Sequence, residues 1–249
     1  MTVYDIAPVR ALITAAAWLV TQVSDTLSPV AGPAGAALAI VLVTVAVRAA
    51  LVPVGLSQAR AALARERLAP RLAQLQRRYA SQPEVLRREI GRLYAAERVS
   101  PLAGCLPALA QAPVLTAVYG VFVVPTVAGH ANALLGHALL GVPLGTRLVG
   151  LLTTGAATWP AVAVPLVLVG LIAVVAGASR RLLPPVSAPD AGTHAAVARL
   201  ASVLPFTTAV VAAFVPVAAA LYLATTTAWT LGERLVLRRV LGTSATSNV

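Results

Sequence analysis

AGAALAIVLVTVAVRAALVPVGL, residues 34–56, is apolar along its whole length apart from one charge, Arg48. A bilayer core takes about 20 apolar helical residues to cross, and this run supplies them. An ionisable side chain at the centre of such a helix costs about 2.5–3.5 kcal/mol on insertion scales. Arg cannot escape by losing its proton, because its pKa stays above about 12. Arg48 is therefore expected to face water, a partner or a polar cavity within a helix bundle. The simpler alternative is that it snorkels to the nearer headgroups, since the run ends eight residues later.

The rest of the composition agrees with a membrane protein. The chain has 249 residues, of which 59% are hydrophobic and only 11% charged, where a soluble domain carries about 25%. Formal net charge is +11, and every one of the 19 basic residues is Arg. The chain shows no nucleic-acid-binding motif, which leaves anionic lipid headgroups, and secondarily ribosomal RNA, as the expected partners for that charge. A single cysteine, Cys105, excludes an intrachain disulfide and a cysteine-cluster metal site.

Upstream of the first span, Val9, Leu12, Ile13, Ala16, Leu19, Val20 and Val23 repeat at helical spacing. Residues 1–33 thus read as an external segment holding an interfacial amphipathic helix, with a signal peptide or an extra span as alternatives. A break is expected from Ser28-Pro29 to Gly32-Pro33. Downstream, residues 57–100 are rich in arginine, including Arg71, Arg77, Arg78, Arg87 and Arg88. Leu68, Leu72, Leu75 and Tyr79 make one helical stripe, and Leu86, Ile90, Leu93 and Tyr94 another. Ser81-Gln82-Pro83-Glu84 between them reads as a capping box. This predicts a cytoplasmic hairpin of two amphipathic helices, whose arginines serve topology and, alternatively, docking.

Further spans are expected over 102–124, 159–178, 197–214 and 216–232. Gln111 is the strongly polar residue of the second, and Trp159 anchors the third at the interface. The last two follow from length, since Leu200–Leu231 as one helix would be roughly 48 Å long. A break near Phe214-Val215-Pro216 turns that stretch into a short-armed hairpin. Residues 125–158 form an external loop, 179–196 a cytoplasmic loop and 240–249 a short cytoplasmic tail. With five spans and the N-terminus outside, sixteen arginines fall inside, Arg10 and Arg147 outside, and Arg48 within the membrane. The fold class is an all-α integral membrane protein.

His130, His137 and His194 lack acidic partners at ligand spacing, and no nucleophile–base pair or phosphate-binding loop is present. No metal, cofactor or enzymatic role is expected.

TVAVRAALVPVGLSQAR (44–60), RLAPRLAQLQRRYASQPEVLRREIGRLYAAERVSPLAGCLPALAQAPVLTAVY (67–119) and FVPVAAALYLATTTAWTLGERLVLRR (214–239) resemble the YidC-type membrane protein insertases of the YidC/Oxa/Alb family, in their compact five-span bacterial form. The resemblance implies five helices around a hydrophilic groove open to cytoplasm and lipid, in a bacterial plasma membrane. It makes Arg48 the groove arginine, which attracts acidic or polar tails of incoming proteins. Thr44, Gln111, Thr208 and Thr226 are the candidates for the rest of the lining. Hydrogen bonding of the threonines to their own helices is an equal alternative. Nascent membrane proteins are the implied partners, with the Sec translocon and the ribosome as further ones. Two departures stand out: Leu223 follows Leu221-Tyr222 where the family often has an aromatic, and Val174–Ala178 lacks a polar residue. Rival readings are a small anion transporter or channel, and a passive Sec-associated assembly factor.

Overall fold

A computed structural model describes residues 6–97, 116, 119–123, 126–127, 130–155, 158–183, 203 and 206–246. It is mostly helical. Helix α1 (Ala7–Ala31) starts on Pro8 and runs through Pro29 before a 3-10 turn at Gly32–Ala34 reverses the chain. Gly32 sits at φ +53°, a conformation that glycine adopts without steric penalty. Helix α2 (Gly35–Ala50) then packs along α1, the most extensive helix pairing among the described residues. Gly35 permits the close start, since a Cβ there would stand 3.3 Å from both Ser24 O and Ser28 Oγ. The break thus falls at Gly32, at the end of the 28–33 stretch. Ile13, Ala17 and Val20 of α1 and Ala36, Ala39, Ile40 and Val43 of α2 belong to one buried core.

Leu51 alone separates α2 from α3 (Val52–Arg78). Pro53 has no N–H to give the helical ladder, so the interruption lies inside the expected span rather than at its end. A turn at 79–82, with Gln82 N–H donating to Tyr79 O at 3.0 Å, leads into α4 (Pro83–Ala96). The capping box is not formed. Gln82 is the N-cap, no side chain caps the helix, and Pro83 occupies its first turn with Glu84. Proline's fixed φ starts the helix there and moves Glu84 out of the capping position. An Arg71–Glu97 ion pair fastens the far end of α4 back to α3.

Two miniature antiparallel pairs follow, Thr126–Val127 with His130–Ala131 and Ala138–Leu139 with Val142–Pro143. Asn132 pins them, donating from Nδ2 to Val121 O at 2.6 Å. Leu134, Val142, Leu144 and Leu148 are all buried, so this loop is a packed cap on one end of the helices. A short α5 (Leu148–Thr154) ends on Gly155 in the left-handed conformation. α6 (Trp159–Leu182) follows. Residues 206–214 are helical, Val215 bends, and α7 (Val217–Thr246) completes the described fold. The cap holds α7 by its first turn: Val217 N–H donates to Thr146 O at 2.8 Å and Ala218 N–H to Leu144 O at 2.9 Å.

The outward face of α6 is as apolar as its buried face. Leu166, Val167, Leu171 and Val174 of α6 face outward while Leu168, Ile172 and Ala176 face in. Such an apolar exterior marks a surface that meets lipid. Among the described residues, two stretches are long and apolar enough to cross a membrane, Ala7–Ala50 and Ala161–Leu182. The expected span over 102–124 lies largely outside the described residues, whereas in that over 197–214 residues 203 and 206–214 are described and helical. That over 216–232 lies in α7, whose Thr225, Thr226, Thr227 and Thr230 dilute its apolar character.

Candidate functional site

At the end of the bundle opposite the cap, α3 and α7 enclose a cavity of about 340 Å³. Its α3 wall is a single helical face, Gly55, Gln58, Ala59, Ala62, Leu63 and Glu66, preceded by the N-cap Leu51. Glycine and alanine at three of these positions leave the space. Its α7 wall is likewise one face, Thr230, Glu233, Arg234, Leu237 and Arg238. Both sets follow the i, i+3/i+4 spacing of side chains that share a helix face.

Arg48, from the last turn of α2, also lines the cavity and is partly buried. Among the described residues no carboxylate forms an ion pair with it. Its charge reaches the hydroxyl of Tyr222 on α7, which lies beyond the cavity in an aromatic cluster with Tyr119 and Phe122. The Phe122 and Tyr222 rings stand 5.9 Å apart. A partly buried guanidinium without a counter-ion needs water, and a cavity of 340 Å³ has room for several molecules at about 30 Å³ each.

The other charges are arranged in two tiers. Glu66 of α3 and Arg238 of α7 form an ion pair across the cavity, both about one-third exposed. Glu233 accepts a hydrogen bond on Oε2 from Trp229 Nε1 at 3.1 Å. Its Oε1 is buried without a hydrogen-bond partner among the described residues, pressed against Gly55. Three guanidiniums against two carboxylates leave the cavity net positive, and it favours an anion or a polar chain.

The expected lining residues are distributed unevenly. Thr44 lies one turn before Arg48, but it is 2% exposed and its hydroxyl donates to Ile40 O at 2.6 Å. Thr226 sits one turn after Tyr222 with its hydroxyl buried beside the phenol. Thr208 is partly buried on the 206–214 helix. None of these three lines the cavity that Arg48 lines, and Gln111 lies outside the described residues. The hairpin arginines Arg71, Arg77, Arg78, Arg87 and Arg88 are all exposed, with Arg78 5.6 Å from the Tyr79 ring. Gln58, Glu66, Thr230, Glu233, Arg234 and Arg238 are cavity residues that sequence reading missed. The 3.6-residue spacing of 230, 233, 234, 237 and 238 is the signal that could have found them. Among the described residues no group of three metal-ligating side chains occurs.

A profile of the family described as "60Kd inner membrane protein" matches residues 27–244, from the end of α1 through nearly all of α7. The chain belongs to that family. Among its relatives are the membrane protein insertase YidC of Clostridium perfringens, 39% identical over 89 residues that cover 36% of this chain and 37% of that protein. The corresponding YidC of Oceanobacillus iheyensis is 33% identical over 119 residues, covering 46% and 45%. Chloroplastic ALBINO3 of Arabidopsis thaliana is 42% identical over 95 residues, covering 38% and 21%. The aligned parts thus span less than half the length of each of these relatives. Family membership, the apolar exterior and the two spanning stretches make this a helical membrane protein. The family match runs through both walls of the cavity, so α2, α3 and α7 are family elements rather than additions.

Proposed function

We propose that this protein is a membrane protein insertase and chaperone. In this reading it moves short hydrophilic tails of nascent membrane proteins partway across the bilayer and releases their helices into lipid. Five spans surround the groove, the N-terminus lies outside, and the tail after α7 lies in the cytoplasm. The observation that supports this best is Arg48, partly buried at the membrane-ward end of a cavity and without a carboxylate to neutralise it. A fixed cation in a wet hollow lowers the work of drawing an acidic or polar tail out of water. The apolar helix that follows partitions into lipid, which supplies the driving force without nucleotide. Thr44, Gln111, Thr208 and Thr226 belong, in the same reading, to the groove above Arg48. The basic hairpin faces the cytoplasm, where it meets anionic lipid headgroups, the ribosome and the Sec translocon.

Replacing Arg48 with Ala, Glu or Lys in cells depleted of their own insertase tests this. Ala and Glu are expected to fail with a client whose translocated tail is acidic. Lys is expected to rescue in part, because it keeps the charge and loses the guanidinium fork. Full rescue by all three overturns the proposal.

A further inference from the structure

At the end of the cavity away from Arg48, segments 172 residues apart in sequence meet through the Glu66–Arg238 ion pair. Both side chains line the cavity, and both retain about one-third of their exposure. Roughly 22 Å of helix separates Leu51, beside Arg48, from Glu66, so the pair and Arg48 mark the two ends of one passage. Arg234, one turn before Arg238 on the same face, lies between them. A one-third-exposed ion pair is weak enough for a competing carboxylate to exchange into it, whereas an apolar plug would offer a tail nothing to exchange with.

We propose that Glu66–Arg238 is an ionic gate, opened when a carboxylate of an arriving acidic tail takes the place of Glu66 on Arg238. Opening frees Glu66 to swing away with α3, and the carboxylate passes to Arg234 and then Arg48. The identity of the tail rests on the insertase reading; the gate itself does not. The device makes Arg238 a selectivity residue: it rewards acidic tails at the mouth, before they reach Arg48.

The test uses the full-length protein in lipid nanodiscs, with Cys105 replaced by Ser and a reporter cysteine placed by Thr230→Cys. Labelling by a hydrophilic maleimide then reads access to the deep end of the cavity. Glu66→Gln and Arg238→Gln are each expected to speed labelling about two- to fivefold, as loss of such a pair allows. The reversed pair, Glu66→Arg with Arg238→Glu, is expected to return the rate to that of the parent. Unchanged labelling in both single variants, or a reversed pair as fast as the singles, overturns the gate. In an insertion assay, Arg238→Gln is expected to slow an acidic-tailed client and spare a neutral-tailed one. Equal slowing of both overturns the exchange step. Altered labelling with no insertion by the parent protein instead sinks the insertase reading and leaves the gate standing.

Discussion

Trp229 donates its indole N–H to Oε2 of Glu233 one turn further along α7, at 3.1 Å, and thereby aims the other carboxylate oxygen at the bare Cα of Gly55 on α3. A Cβ at residue 55 would lie 1.8 Å from that oxygen. The two helices that wall the cavity are keyed together at this point by a side chain fitted into the place where another is missing.

The key predicts a change of sign. Gly55→Ala alone must displace the Glu233 carboxylate and lose its bond to Trp229, a destabilisation of about 1 kcal/mol. In a Glu233→Ala background the same substitution meets no carboxylate and gains helix propensity, a stabilisation of about 0.5–1 kcal/mol. Unfolding midpoints of the four proteins in mixed detergent micelles check this.

A second prediction concerns the start of α7, where Val217, Ala218, Ala219 and Ala220 are each 0% exposed. Ala219→Leu overfills that contact and is expected to cost about 1–3 kcal/mol. Val174→Leu on the outward face of α6 is expected to stay within about 0.5 kcal/mol of the parent. The same unfolding titration distinguishes them.

A third lies in the cap. Leu140 holds φ +52° beside Gly141 at φ +81°, the primed turn of a two-residue hairpin, with its side chain in the open. Leucine is strained there, and asparagine tolerates the conformation. Leu140→Asn is expected to stabilise by about 0.5–1 kcal/mol. Slower proteolytic cutting within 126–147 would report it.

The basic hairpin gives a fourth. Leu68 is 4% exposed, whereas the Arg71–Glu97 pair is solvated. Leu68→Ala is expected to cost about 2–4 kcal/mol. Arg71→Ala is expected to cost under about 1 kcal/mol, and less again in high salt. Unfolding of the purified protein at two ionic strengths measures both.

Much of this was legible before any coordinates. The lone charge in 34–56, the leucine stripes of the hairpin and the break before Val217 are local signals, carried by hydropathy, period and proline. Glu66 with Arg238 was not legible, because its meaning depends on which of α3's faces meets α7, and neither segment specifies the other's register. The arginines of 57–100 satisfy charge topology by themselves, so composition carries no sign that one carboxylate among them, Glu66, faces inward. The cap was hidden for a different reason. Its strands are two residues long, and its tight turn is built on Leu140-Gly141 rather than on an asparagine–glycine pair. The capping box failed because the proline inside it outweighs the side chains around it.

The backbone ties from Thr146 and Leu144 to the first turn of α7 have an evolutionary corollary. Amide-to-carbonyl fastening is indifferent to which side chains the loop carries, provided its course is kept. Exposed positions of this loop such as Leu140 and Pro143 are thus free to drift in sequence while Asn132 and the buried Leu134, Val142 and Leu144 keep its course, and an alignment blind to geometry would score the cap as dispensable linker.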